Sequence, residues 1–354
     1  MPVMPAMPIM ARRVFRVSLT MALSLTASYA LSLPLPYMAP LFAIMLTATP
    51  APPMRLKGLL GLLMLIILTL GSGLLLIPVL LNYPVTAVLL VAAGLYLSSY
   101  ITVNLGKGLV GTFLTVGFTS ISAAGTVDYA IALTVIQALA LGVSLAICCQ
   151  WIVYPWFPEN PGPPAARPVR EDAEKSNWIA LRATLIVLPA YLLALTNPLA
   201  YMPIILKSVS LGQQGDEVEA RNAGREMLGS TLLGGLFAVA FWFALKLQVN
   251  LWMFFLWTLL FGIYFSSKIY RIIPTRFAAS FWVNTAVTML ILLGPAVEDS
   301  VNGKDVYKAF AVRMGLFVAV ALYASIAIHV LDHLWRRRHA RRTSRHTPGE
   351  SQPC

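Results

Sequence analysis

GLYLSSYI, running from Gly94 to Ile101, returns as GIYFSSKI from Gly262 to Ile269, identical at five of eight positions. In a chain rich in Leu, Gly and Ser one such match is weak, so its meaning depends on its surroundings. Working outward, Pro34-Leu35-Pro36-Tyr37-Met38 matches Pro198-Leu199-Ala200-Tyr201-Met202. Thr112-Phe113 lines up with Ser280-Phe281, and Asp128-Tyr129 with Asp305-Val306-Tyr307. The matches keep one order along both parts of the chain, as an internal duplication requires.

The solvent of this duplicated unit follows from composition. Of 354 residues, 58% are hydrophobic and 11% charged, and the mean hydropathy is +0.76. Soluble domains carry about 25% charged residues, so the expected medium is lipid, and the spans must then be helices that satisfy their own backbone. Twelve apolar segments are expected, near 14–33, 36–49, 57–80, 84–102, 108–125, 129–153, 178–196, 199–211, 227–247, 250–268, 276–295 and 306–331. Alternate gaps hold the cations: Arg12, Arg13 and Arg16; Arg55 and Lys57; Lys107; Arg167, Arg170 and Lys175; Arg221 and Arg225; Lys268, Arg271 and Arg276; then the tail from Arg336 to Arg345. The opposite gaps carry NYP, AAGTVDY, TNP, the Lys246 region and the acidic EDSVNGKD. By the positive-inside rule both termini are cytoplasmic and the number of spans is even. The expected fold is an all-α polytopic membrane protein of about 12 transmembrane segments, arranged as two parallel six-helix repeats. Its parts are an N-terminal tail (1–13), a first six-span repeat (14–154), a cytoplasmic Pro-rich linker (155–177), a second six-span repeat (178–335) and a basic cytoplasmic tail (336–354).

Several function classes fall away. The net charge of +12 sits in the gaps between apolar runs, which marks topology and not a nucleic-acid face. Cys148 and Cys149 are adjacent within an apolar run and Cys354 ends the chain, so no disulfide framework is expected. Gly106-Lys107 is followed by Gly108, not by the hydroxyl residue of a phosphate-binding loop, and no H-E-x-x-H occurs. His329 and His333 around Asp332 have helical spacing for a metal, but their juxtamembrane position favours an ordinary helix end; no metal and no cofactor is expected. No acid–base or nucleophile cluster supports an enzyme, a lipid-modifying one included. ARRVFR before the first apolar run resembles a twin-arginine or secretory leader, with small residues at Ala27 to Ala30. Further runs follow it and it has a counterpart in the second half, so it is read as a span. Methionines at 1, 4, 7 and 10 allow translation to start as late as Met10.

Segments two and eight are short and Pro-bearing, with Pro34, Pro36 and Pro40 in one and Pro198 and Pro203 in the other. Paired short, broken segments at corresponding places of two repeats point to a transport site, the alternative being shallow helices that only pack. Tyr37 and Tyr201, at their matching starts, join the candidate substrate contacts. Arg16 and Arg182 lie near the cytoplasmic ends of segments one and seven, and Arg55 and Arg225 open segments three and nine. Each is either a snorkelling anchor or part of a symmetric basic ring for an anion, since a guanidinium fork suits a carboxylate. Arg313, two turns into segment twelve from the outer side, is where topology gives no reason for a cation; its expected partners are substrate, Asp305 or a lipid phosphate. Tyr96, Ser98 and Ser99, with Tyr264, Ser266 and Ser267, either pack helices together or line a pore. No Asp or Glu sits mid-span, leaving Asp128 and Asp305, both at the external face, as candidates for proton coupling.

The arginine-led first segment, PLPYMAPLFAIMLTATP, and Arg55 ahead of GLLGLLMLIILTLGSG together resemble the membrane domain of the fusaric acid resistance and aromatic acid exporter superfamily. They resemble most its compact bacterial members, long catalogued only as a domain of unknown function. The resemblance covers about residues 11–335 with loose motifs, and the chain lacks the large cytoplasmic domain of many relatives. It implies an inner-membrane efflux subunit that exports aromatic or other hydrophobic carboxylic acids, working with a periplasmic adaptor of the membrane-fusion type and an outer-membrane channel. Plant anion channels of that superfamily look like dimers of six-span units with basic residues along the pore, which puts Arg16, Arg55, Arg182 and Arg225 forward as anion contacts. An interior-negative potential drives an anion outward by about 2.3 kcal/mol per charge per 100 mV, so export needs no proton site. Partners expected are the small organic anion, membrane lipid, the adaptor and channel, and further copies in a homo-oligomer; no nucleic acid is expected. The competing class is a non-transporting membrane scaffold or assembly factor for an envelope complex.

Overall fold

The computed structural model describes residues 7–160, 173–217, 220–303 and 305–343. Met1, Met4, the linker centre at 161–172 with Arg167 and Arg170, the tail from 344 onward and the side chains of Lys175, Arg221 and residues past 334 lie outside the described residues. Among those described there are helices and no strand.

Twelve helical units follow one another: α1 (Ile9–Ala30), α2 (Met38–Thr47), α3 (Leu56–Asn82), α4 (Pro84–Leu105), α5 (Gly108–Val127), α6 (Tyr129–Val153), α7 (Ala173–Thr196), α8 (Pro198–Glu217), α9 (Ala220–Leu247), α10 (Leu251–Ile269), α11 (Ala279–Val301) and α12 (Val306–Thr343). Each coincides with one of the apolar segments read from the sequence. Nine of the described helices, all but α1, α2 and α8, are long and apolar enough to cross a membrane. The chain is thus a multi-pass membrane protein. Large apolar side chains stand exposed along the outer faces, such as Leu60, Met64 and Ile67 on α3 and Val85 and Leu89 on α4, the surface that lipid would cover.

The three exceptions are shielded by protein. Helix α1 carries Arg12, Arg13 and Arg16 and many hydroxyls, and it packs against α10, α2 and α6. Its Ser18, Thr20, Ser24, Thr26 and Ser28 each donate to a carbonyl three or four residues back, so a polar helix is buried with its hydroxyls satisfied. Helix α2 has ten residues, about 15 Å of helix against about 30 Å of hydrocarbon, and nearly all of it is buried. Helix α8 departs from expectation. Its apolar part, Tyr201–Leu211, is short as read, but the helix runs on to Glu217 because Gly212-Gln213-Gln214 ends the hydropathy and not the helix. Pro203 lies within the helix without ending it. Helix α7 likewise starts at Ala173, inside the expected linker, since Ala, Glu and Lys favour helix whatever their hydropathy.

Helix α1 lies along α10, and α7 lies along α4. Within residues 9–153, α2 and α6 flank α1 while α3 packs on α5 and α6; within residues 173–343, α8 and α12 flank α7 while α9 packs on α11 and α12. Helix α2 touches α11, and α8 touches α5. The most buried of the nine spans is α11.

Backbones come closest where α3 crosses α5. A Cβ added at Gly73 would collide with the Gly117 carbonyl oxygen, and one at Gly117 with that of Thr69. The α5 backbone widens into one π-helical turn there, Gly117–Ile121, a local insertion that hydropathy does not register. Small residues at such a crossing replace the hydrophobic drive that helices lack in lipid. Gly117→Leu is expected to cost about 1–3 kcal/mol through overpacking, seen as a lower thermal inactivation midpoint in detergent. Gly61→Ala, where nothing lies within 4 Å of the new Cβ, is expected to leave the midpoint unchanged or slightly raised.

Candidate functional site

A cavity of about 360 Å³ opens between the two halves of the chain. From the first half it is walled by Met38, Leu41, Phe42 and Met45 of α2, by Thr112, Phe113 and Val116 of α5, and by Leu139 of α6. From the second half come Leu206, Val209 and Ser210 of α8, Ile269 of α10, and Ser280, Val283, Asn284, Val287 and Ile291 of α11. Its size falls near the lower end of the range for small-molecule sites, about 300–1,000 Å³, and its wall is mainly apolar with a few convergent polar groups, as such sites are. Helix α2 and the apolar part of α8 both contribute, each touching the other half through α11 or α5. Thr49, just past α2, and Ala279, the first residue of α11, place one edge of the cavity at the helix ends where the Lys and Arg residues gather. Tyr270, just past α10, ties that edge together by donating to the carbonyls of Thr47 (3.2 Å) and Ala48 (2.8 Å).

One polar cluster stands in this apolar wall. Lys207 of α8 is fully buried (0%), and its Nζ donates to Thr288 Oγ1 at 2.7 Å and Asn284 Oδ1 at 3.3 Å. Ser210 donates to the same Asn284 oxygen at 3.0 Å, and Asn284 Nδ2 donates to Ser230 Oγ at 2.6 Å. Among the described residues no carboxylate pairs with Lys207. The sequence reading missed it, although the signal was present: a lysine in the apolar run from Tyr201 to Leu211. Cations are expected at helix ends and mid-span charge as carboxylates, so Lys207 falls outside both patterns.

The predicted arginines do not line the cavity. Arg16 is 1% exposed and bonds Glu159, Nη2 to Oε2, at 2.9 Å. Arg13 Nε reaches Glu159 Oε1 at 2.9 Å, Arg12 donates to Pro158 O at 3.0 Å, and the Phe15 and Phe157 rings stack. The segment after α6 therefore clasps the start of α1. Arg182 is held in the same way, its Nη1 lying 3.1 Å and 3.2 Å from the two Asp332 oxygens near the end of α12. Arg55 is exposed beside the start of α3, and Arg225 is exposed with its guanidinium 5.8 Å from the Phe277 ring centre. Arg313 pairs with Asp299 of α11 at 2.6 Å, which corrects the expected Asp305. That aspartate instead accepts from the Tyr307 and Lys308 amides at 3.1 and 3.2 Å and caps α12. Asp128 caps α6 in the same manner, accepting from the Ala130 amide at 2.8 Å. Both proton-coupling candidates thus stand as exposed helix caps.

Tyr37 is buried with its ring against Gly294 of α11, and Tyr201 packs between the two hydrophobic cores; neither lines the cavity. The repeated Tyr-x-Ser-Ser motifs sit in α4 and α10, the helices that cross to the opposite half. Tyr96 Oη donates to Asn177 of α7 at 3.0 Å, and Ser98 is buried and hydrogen-bonded to Thr115 at 2.7 Å. On α10, Gly262 rests on Ser18 and Met21 of α1, Ser266 and Ser267 are buried, and Tyr264 packs edge-on to Trp282. Ser99 is half-buried, and no member of either motif lines the cavity. Among the described residues no three His, Cys, Asp or Glu side chains gather as a metal site, and Asp332 is engaged by Arg182.

Residues 13–153, which end on the last residue of α6, match a family described as "Protein of unknown function (DUF2955)". No curated protein and no solved structure matches the chain.

Burial disfavours the Glu159 carboxylate, but hydrogen bonds from Arg13 and Arg16 outweigh it and hold the carboxyl below its ordinary value. A depressed folded-state pKa contributes stability above the unfolded value that is lost as pH falls through the folded one. Glu159→Gln is therefore expected to lower the thermal inactivation midpoint at pH 7. The gap from the unsubstituted protein should close in melts run below the ordinary carboxyl range, and a gap constant with pH would remove the ion pair from this account.

Proposed function

We propose that the protein is an inner-membrane efflux transporter subunit that exports small aromatic or otherwise hydrophobic organic acids, akin to the fusaric acid resistance and aromatic acid exporter superfamily. The observation that carries this reading is the apolar cavity between the halves, walled by α2 and α8 and backed by a buried cation without a carboxylate partner among the described residues. A mainly apolar wall suits the body of an amphipathic solute, and a single cation suits its charge. A periplasmic adaptor and an outer-membrane channel would carry the solute onward.

The two-repeat arrangement belongs to the same proposal. Adding six to each helix number carries the α1–α10 crossing into α7–α4, the α1–α2 and α2–α6 contacts into α7–α8 and α8–α12, and the α3–α5 contact into α9–α11. The caps Asp128 and Asp305 and the clasps Arg16–Glu159 and Arg182–Asp332 correspond likewise. The family match ending at Val153 supports a six-helix unit. An even number of passes, with cations gathered at one set of helix ends, would put both termini on the cytoplasmic side.

The test is growth of a deletion strain and its complemented control on a panel of weak aromatic acids and cationic drugs. Hypersensitivity to the acids, with tolerance restored by the gene, is the expected result. Sensitivity confined to cations would overturn the anion reading, and an unchanged profile with an envelope defect would favour the scaffold.

A further inference from the structure

We propose that Lys207 is the charge anchor for the carboxylate of an amphipathic organic anion bound in the cavity, and that the chain carries one such anchor. The inference rests on the transport reading above and adds the site and its stoichiometry. Lys207 lies nine residues into α8, about 14 Å along the helix axis from its start, deep within the fold. An ammonium placed there with only neutral dipoles around it is costly, and a buried cation is ordinarily matched by an anion. The five arginines named from the sequence do not have this character: Arg16, Arg182 and Arg313 hold carboxylates of the protein, and Arg55 and Arg225 are exposed.

The donor inventory leaves room for a ligand. Thr288 donates its hydroxyl proton to the Asn284 carbonyl at 2.6 Å and receives Lys207 on a lone pair. Asn284 Oδ1 accepts from both Lys207 and Ser210. Two of the three ammonium N–H groups are thereby used, and the third has no acceptor among the described residues. Asn284 and Ser210 line the cavity, so the cation stands one hydrogen bond behind the wall. For a carboxylate seated beside Ser210 and Asn284 to receive that third N–H, the Lys207 side chain must shift toward the cavity by one hydrogen-bond length, with Phe42, Phe113 and Leu41 on the wall around the solute's apolar part.

The site is one-sided. By the PLPYM and PLAYM correspondence Lys207 falls opposite Ala43, and by the Thr112-Phe113 and Ser280-Phe281 correspondence Asn284 falls opposite Val116. Both counterparts are buried apolar residues. The cavity therefore offers an apolar flank and a charged flank, and holds a single anion against the second.

The full chain, purified in detergent, is titrated by calorimetry with benzoate and with its neutral analogue benzamide at fixed pH. The unsubstituted protein should prefer benzoate at least tenfold, in the range of a charge-assisted hydrogen bond. Lys207→Met should erase that preference while benzamide binding persists. Asn284→Asp, which supplies a carboxylate to the ammonium from within, should do the same, and stands in where Lys207→Met fails to give a monodisperse protein. A benzoate preference unchanged in either monodisperse variant, with acid tolerance still conferred by the unsubstituted gene, overturns the anchor and leaves the transport reading standing. No binding of either probe and no tolerance conferred by the gene overturns both.

Discussion

In hydrocarbon a polar group can be satisfied only by the chain that carries it, and that constraint orders this protein from the backbone inward. It confines the described residues to helices and turns the hydroxyls of α1 back onto their own carbonyls. It also gives Arg16, Arg182 and Arg313 carboxylate partners at the helix ends. Against that background the neutral surroundings of Lys207 stand out. Every other strongly buried cation among the described residues is neutralised locally by a carboxylate.

Much of the architecture was legible because apolar runs and cationic gaps report the membrane directly. The twelve helices coincide with twelve runs, and α2, expected over 36–49, is shorter still, Met38–Thr47. Errors fell where helix and hydropathy part company: α7 and α8 extend through Glu, Lys and Gln residues that an apolar scan excludes. The π-helical turn at Gly117 left no trace beyond its glycines, because it depends on how closely α3 approaches.

The site was half legible. Paired Pro-bearing segments pointed to α2 and α8, and the cavity lies between them. The carboxylate partners of Arg16 and Arg182 were not legible: Glu159 sits in a Pro-rich stretch 143 residues away from Arg16 along the chain, and the sequence gives no sign that it returns. Tyr-x-Ser-Ser recurs in the sequence, yet its place at the crossings α4–α7 and α10–α1 depends on which helices exchange sides, a property of topology that local composition does not encode.

That exchange has a mechanical corollary. Each half of the chain rests one of its helices along the opening helix of the other, so the halves are interlocked like clasped hands. Wholesale rocking of one against the other would have to peel α10 from α1 and α4 from α7, parting Gly262 from Ser18 and Met21 at one seam and Tyr96 from Asn177 at the other.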